Sequence, residues 1–238
     1  MNVWVYWEGP APLHLAACYE RLRRVCTDSM VHFVNNENLR YYLPNIRDDL
    51  DAISNWKGGV VDKSHTVVAK CDYIRTRLVY EYGGFYVDSD YVALKDFSAI
   101  APEDGKLVGY RLNKYNTNLF CGNCFGAEKG NEVLGLWKDA QEQRLRESMT
   151  VEWATLANLI STPIMDANDD KITIVPEDMI SPVPWQQPER FYSAKTLADL
   201  NAEDSVGIML FGDVLKTPLP EDSLLNRLLY TEQGLVHP

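Results

Sequence analysis

Apolar positions along this chain follow two rhythms, short strand-like runs and longer stretches spaced three and four apart. VWVYW near the N-terminus is an aromatic and β-branched run closed by Gly9-Pro10, which predicts a strand. Residues 12–26 carry Leu15, Ala16, Tyr19 and Leu22 at helical spacing, and MVHFV at 30–34 predicts a second strand before the polar loop NNEN. Strand, helix, strand in that order predicts a parallel sheet with helices on its faces. A short helix over 46–55 and a loop at Lys57-Gly58-Gly59 come next. The best-defined element runs from about Ser64 to Tyr82, where Val67, Val68, Cys71, Ile74, Leu78 and Val79 recur and Gly83-Gly84 supplies the stop. FYVDSDYVAL, residues 85–94, reads as one strand. Further strands are predicted near 107–111, 119–126, 172–176 and 206–211, and helices near 131–147, 150–160 and 222–230. No shift in composition marks a linker, so the pattern predicts a single α/β domain.

Composition narrows the classes. At 238 residues, 46% hydrophobic and 24% charged, the chain is an ordinary globule, and its net charge of -11 counts against broad binding to nucleic acid or anionic membrane. MNVWVYWEGP lacks the basic start and long apolar run of a signal peptide, and no segment has the apolar length of a membrane span. Five cysteines, odd in number and far apart, fit a reducing cytoplasm better than a disulfide framework. CGNC at 121–124 is a lone C-x-x-C with no second pair, which predicts packed thiols.

The chemistry concentrates in the D-S-D at 88–90. On a strand, Tyr86, Asp88 and Asp90 share one side while Val87 and Ser89 share the other. Two carboxylates there are either hydrated at an emerging strand end or neutralised by a hard divalent cation, which favours oxygen ligands. Asp72 and Arg75 sit one helix upstream, three apart on one stripe. They are either a helix ion pair or further parts of a site at the sheet's edge. A second D-x-D, Asp49-Leu50-Asp51, lies in a polar helical stretch and reads as a solvated face.

CDYIRTRLVYEYGGFYVDSD resembles the glycosyltransferase sugar-binding region containing the DXD motif, a family that includes yeast initiating mannosyltransferases and bacterial capsule-type enzymes, with the clostridial glucosylating toxins as distant relatives. Asp72, Arg75, Tyr80, Gly83, Gly84, Tyr86, Asp88 and Asp90 fall on its pattern without a gap. VYWEG, CGNCFGAEKGNEVL and Ser161-Thr162-Pro163 are similar to weaker family segments. The resemblance implies a GT-A-like, Rossmann-like domain with a mixed, mainly parallel sheet, its nucleotide-sugar half about 1–100 and its acceptor half about 101–238. It implies a retaining transferase that uses Mn²⁺ or Mg²⁺ and a nucleotide-sugar donor, UDP-glucose or UDP-galactose first. By the same resemblance Asp88 and Asp90 hold the metal, and Trp7 stacks on the base. Asp72 and Arg75 hold donor-sugar hydroxyls and, with Asp90, carry catalysis. Tyr6, Tyr86, Ser89 and Asn123 complete the donor pocket. The acceptor is a glycan, a lipid-linked saccharide or another hydroxyl, which leaves room for peripheral membrane contact.

The chain departs from the family pattern at three places. Cys71 replaces a Ser, Thr162 replaces the Gly of T-G-P, and Met209 stands where a late His supplies another metal contact, with Asp213 or His237 as substitutes. These departures keep open a degenerate nucleotide-sugar-binding protein. A D-x-D-x-T phosphatase is the remaining alternative, although Val92 stands in the place of its Thr. Trp4, Trp56, Trp137 and Trp153 read as packed aromatics. Trp185 in SPVPWQQP is either a loop anchor or part of an acceptor pocket, and NKYNTN at 113–118 is polar and solvent-facing or acceptor-contacting.

Overall fold

A computed structural model describes residues 1–55, 63–102, 105–114, 117–147, 154–211 and 217–231. Its strands are β1 (Asn2–Tyr6), β2 (Met30–Val34), β3 (Gly84–Val87), β4 (Tyr91–Ala93), β5 (Leu107–Leu112), β6 (Leu119–Ala127), β7 (Ile172–Ile174) and β8 (Gly207–Met209). Six of them form a central sheet in the order β2-β1-β3-β6-β5-β7, and β4 pairs with β8 apart from it. β1 is parallel to β2 and β3, and β7 is parallel to β5; β6 alone runs against its neighbours β3 and β5. The predicted mixed, mainly parallel sheet is therefore present, and the C-terminal ends of the parallel strands share one edge.

Helices α1 (Leu13–Val25), α2 (Leu39–Tyr42), α3 (Arg47–Ser54), α4 (Lys63–Tyr82), α5 (Glu132–Arg146), α6 (Asn158–Asp166) and α7 (Glu177–Ile180) flank this sheet. α4 is central, packing on β1, β3, β6, α3 and α5. Tyr73, Ile74, Leu78 and Val79 are fully buried on it, whereas Val67, counted among its apolar positions, is exposed. The helix stops at two glycines with φ of +70° and +102°, a conformation that L side chains rarely adopt. A side chain at Gly84 would also strike the backbone of Asn2, so the Gly-Gly turn lets β3 close against β1. The Trp4 indole N–H fastens the turn by donating to the Gly83 carbonyl at 2.9 Å.

Two predicted elements differ. FYVDSDYVAL is not one strand: β3 ends at Val87, Asp88–Asp90 form a turn, and Tyr91–Ala93 pair with Gly207–Met209 instead of extending the sheet. The chain changes sheets at the D-S-D, so alternation along a single strand does not orient the two acids. The helix expected at 150–160 runs over Asn158–Asp166, through Pro163. Burial of Ile160, Ser161 and Met165 next to β6 outweighs the backbone bond that proline forfeits. Lys57-Gly58-Gly59, Trp56 and Trp153 lie outside the described residues; Trp4 and Trp137 are core side chains. Among the described residues no helix is long and apolar enough to cross a membrane.

Candidate active site

The cluster begins on α4, where three-residue spacing sets Asp72 and Arg75 on one stripe. Arg75 Nη2 meets Asp72 Oδ1 at 2.6 Å, and both side chains are buried. Arg75 Nη1 then reaches 3.7 Å towards Asp88 Oδ1, at the first residue beyond β3. The guanidinium lies 5.9 Å from the ring centre of Tyr86, and the Tyr86 hydroxyl is 3.0 Å from Cys71 Sγ. One arginine is shared by two carboxylates, and it does not satisfy either of them fully. Asp72 Oδ2, Arg75 Nε and Asp88 Oδ1 are buried with no hydrogen-bond partner.

The electrostatics follow. Burial pushes the Asp72 carboxyl up to about 6 against the pull of Arg75. Burial pushes Asp88 up to about 7, with Asp90 and Asp72 adding to it and Arg75 opposing. The side chain of Asp88 is 30% exposed although its Oδ1 is sealed, so its other side opens to solvent. Asp90 is buried, and its backbone carbonyl accepts from the Leu210 N–H at 3.1 Å, which ties the turn to the β4–β8 pair.

β6 forms the opposite wall. Asp88 N–H donates to the Asn123 carbonyl at 2.9 Å, and Asn123 Oδ1 accepts from the Tyr110 hydroxyl at 2.7 Å. Asn123 is thereby brought to the D-S-D turn with its amide oriented. Tyr6, at the end of β1, donates to Asn36 Oδ1 at 2.8 Å, and burial together with Glu8 and Cys71 raises its pKa. Trp7 lies half-buried at the rim, its indole N–H on the Pro10 carbonyl at 3.3 Å; among the described residues no side-chain hydrogen bond or ring contact joins it to the cluster. Ser89 is in the turn itself.

Met209 is no ligand: it is buried opposite Tyr91 in the β4–β8 pair. Asp213 and His237 lie outside the described residues. Among the described residues no three His, Cys, Asp or Glu side chains converge. The remaining donor set, the Asp88 and Asp90 carboxyls with Oδ1 of Asp88 unmatched, is all oxygen and fits a Mg²⁺- or Mn²⁺-type ion that would complete its shell with phosphate and water. Thr162 does not crowd β6 but accepts from the Phe120 N–H at 3.1 Å, capping the strand from α6.

Two contributors escape sequence reasoning. Gly122 underlies Arg75: a Cβ there would come within 2.9 Å of the guanidinium carbon. An isolated glycine inside a strand is a signal of such close approach. Gln141 on α5, fully buried, donates to the Asp72 carbonyl at 2.9 Å, the Leu156 carbonyl at 2.7 Å and Thr76 Oγ1 at 3.2 Å. Nothing in QEQRLR distinguishes it from a solvated glutamine.

Residues 12–106 match the model of a family described as "Glycosyltransferase sugar-binding region containing DXD motif". No curated protein matches the chain. Among solved structures, galactosyltransferase LgtC in complex with donor and acceptor sugar analogues aligns with a TM-score of 0.54 at 9% identity, over 100% of this chain and 97% of that one. Apo GlyE of Streptococcus pneumoniae TIGR4 gives 0.53 at 14% identity over 99% of this chain, which spans 60% of that protein. Mouse xyloside xylosyltransferase 1 gives 0.51 at 10% identity, over 92% and 100%. Identities this low speak for the fold alone. With the matched segment and the fold taken together, the chain has the fold of the GT-A glycosyltransferases, and its residues 12–106 are similar to the DXD-containing sugar-binding region of that family.

Proposed function

We propose that this domain transfers a hexosyl group from a nucleoside-diphosphate sugar to an acceptor hydroxyl with retention of configuration. UDP-glucose and UDP-galactose are the first donors to try, and a divalent cation would be held by Asp88 and Asp90. The observation that carries this reading is the unfinished charge cluster at the strand ends. Burying two carboxylates and one arginine with three unmatched polar atoms is unfavourable unless a ligand completes them.

In the reaction the bond from the anomeric carbon to the diphosphate oxygen breaks, and its electron pair leaves with the nucleotide. The acceptor oxygen bonds to the same carbon, and its proton ends on the departing diphosphate or in solvent. A bound divalent cation supplies Lewis-acid charge to the diphosphate. Arg75 adds a fixed positive charge that need not reorganise as the leaving group becomes more negative. Asp72 Oδ2 and Arg75 Nε are buried without a partner, and donor-sugar hydroxyls that reach them on binding would satisfy them and orient the anomeric carbon. Tyr86 forms the floor under Arg75, and Asn123 holds the turn from which Asp88 projects. Tyr6, Trp7 and Ser89 stand on the nucleotide side, with Trp7 offered to the base.

Thermal denaturation with UDP or GDP, with and without Mn²⁺, tests this directly. Ligand at about 100 times its dissociation constant adds roughly 2.7 kcal/mol to the folded state. The expected result is a shift with UDP that requires Mn²⁺ and disappears in Asp90→Ala. Absence of any nucleotide shift in the presence of Mn²⁺ or Mg²⁺ would overturn the reading.

A further inference from the structure

β3 and β5 both run against β6, and β7 runs with β5, so all three point their C-terminal ends to the edge that carries Asp88. The segments that leave β5 and β7 are tied together there. Glu177 Oε2 accepts from the backbone N–H groups of Asn113 and Lys114 at 2.9 and 3.0 Å. Lys114 Nζ donates to the Ser181 and Pro182 carbonyls at 2.9 and 2.7 Å. The chain then turns back over the β4–β8 pair, where Val183 joins the core cluster of Val92, Ile208 and Leu210. Val92 is two positions past Asp90. Trp185 lies within about 7 Å of Val183 and only three residues beyond Pro182, whose carbonyl is held by Lys114 at the exit of β5.

Trp185 does not follow Val183 inward. It is 55% exposed, while Ile180, Ser181, Val183 and Phe191 around it are at most 1% exposed. Those four anchor the loop, so the indole is not needed as an anchor. Pro182, Pro184 and Pro188 restrict the backbone, and Gln187 N–H closes a turn on the Pro184 carbonyl at 2.9 Å. A large flat apolar ring, held out on a stiff loop, loses little freedom when it meets another flat apolar face. The C–H face of a pyranose is such a partner, and its hydroxyls can remain in water. An anionic lipid surface fits less well, because Gln186, Gln187 and Glu189 flank the ring and the chain carries a net charge of -11.

We propose that Trp185 is the stacking platform for the acceptor, and that the acceptor is a saccharide bound through the apolar face of a pyranoside ring. This rests on the transferase reading above and narrows its acceptor to glycans. Saturation-transfer NMR on the full chain, with lactose, maltose, cellobiose and methyl α-mannoside as probes, tests it without turnover. At least one probe should receive saturation on its ring C–H protons. Trp185→Ala should abolish that signal and Trp185→Phe should keep part of it. Met30→Ala should behave as the unsubstituted chain, since Met30 is 65% exposed at the start of β2, the opposite end of the sheet. In transfer assays Trp185→Ala should raise the acceptor KM about tenfold and move the donor KM less than about twofold. The proposal fails if no probe is saturated, or if Trp185→Ala keeps the full signal. It fails equally if the indole responds to lipid vesicles while the acceptor KM is unmoved. A saccharide signal at Trp185 without any nucleotide shift would sink the transferase reading and leave the platform standing.

Discussion

α4 carries two buried polar clusters built from similar residues and finished differently. Towards α5, Arg77 donates to the Tyr73 carbonyl and to Gln141 Oε1, both at 3.0 Å, and to Glu142 at 3.1 Å, while Gln141 Nε2 serves two carbonyls and Thr76. Towards β3 and β6, only two to five positions away in sequence, Asp72 and Arg75 with Asp88 leave three atoms unmatched. Burial is equally deep on both sides, so depth does not separate them. What separates them is closure of the charged groups: on the α5 side the neutral Tyr73 hydroxyl is left unmatched, whereas on the other side the unmatched atoms belong to two carboxyls and a guanidinium. A buried network whose members satisfy one another stiffens the fold, whereas one left open stores a free-energy debt that a ligand can relieve.

The sharpest test of that contrast removes one member from each side. Gln141→Ala takes one acceptor from the Arg77 guanidinium and one donor from each of the Asp72 and Leu156 carbonyls, buried hydrogen bonds of about 1 kcal/mol each, and should lower stability by roughly 2–3 kcal/mol in urea denaturation. Asp88→Asn removes a carboxylate that burial already disfavours. At pH 8 without ligand it should hold or raise the denaturation midpoint while cutting transfer by about 10²–10³. If both substitutions destabilise alike, the two clusters do not differ in kind.

A smaller change targets the open side alone. Gly122→Ala sets a methyl group against the Arg75 guanidinium and 3.1 Å from the Trp137 ring. Arg75 cannot yield without lengthening its 2.6 Å contact to Asp72. The expected outcome is roughly 1–3 kcal/mol of overpacking strain, together with a donor KM raised about tenfold, which corresponds to ~1.4 kcal/mol. A donor KM that stays put would show that the placement of Arg75 is not what binds the sugar.

The open cluster was far more legible in the sequence than the closed one. Asp72, Arg75 and Asp88 are held close by local rules, helical spacing and a Gly-Gly stop that turns β3 back along α4. Gln141 depends on partners 15 and 69 residues away, and its own neighbours spell a solvated helix. The break at the D-S-D was hidden for a similar reason. FYV and YVAL are equally good strand formers, and only pairing of Tyr91–Ala93 with Gly207–Met209 assigns them to different sheets. Thr162 reads as a departure from T-G-P in the sequence, and only the fold shows that its hydroxyl is what the Phe120 N–H uses.

The smallest expected effect is in pH. The Asp72 and Asp88 carboxyls sit at about 6 and about 7 when folded, against an ordinary 3.8. An acid that holds its proton more tightly in the folded state makes folding take up protons between those values, so stability falls as pH rises from about 4 through about 7. Above that window both groups are charged and the full burial penalty stands. The denaturation midpoint of the ligand-free protein should therefore decline from pH 5 to pH 8, and it should decline less in Asp88→Asn. The difference between those two profiles isolates Asp88 from every other titrating group. Mn²⁺ with UDP should restore more stability at pH 8 than at pH 5, since only the ionised cluster has charge to offer. Parallel profiles for the two proteins would mean that Asp88 is ionised throughout without cost, and the open side of α4 would then be as closed as the other.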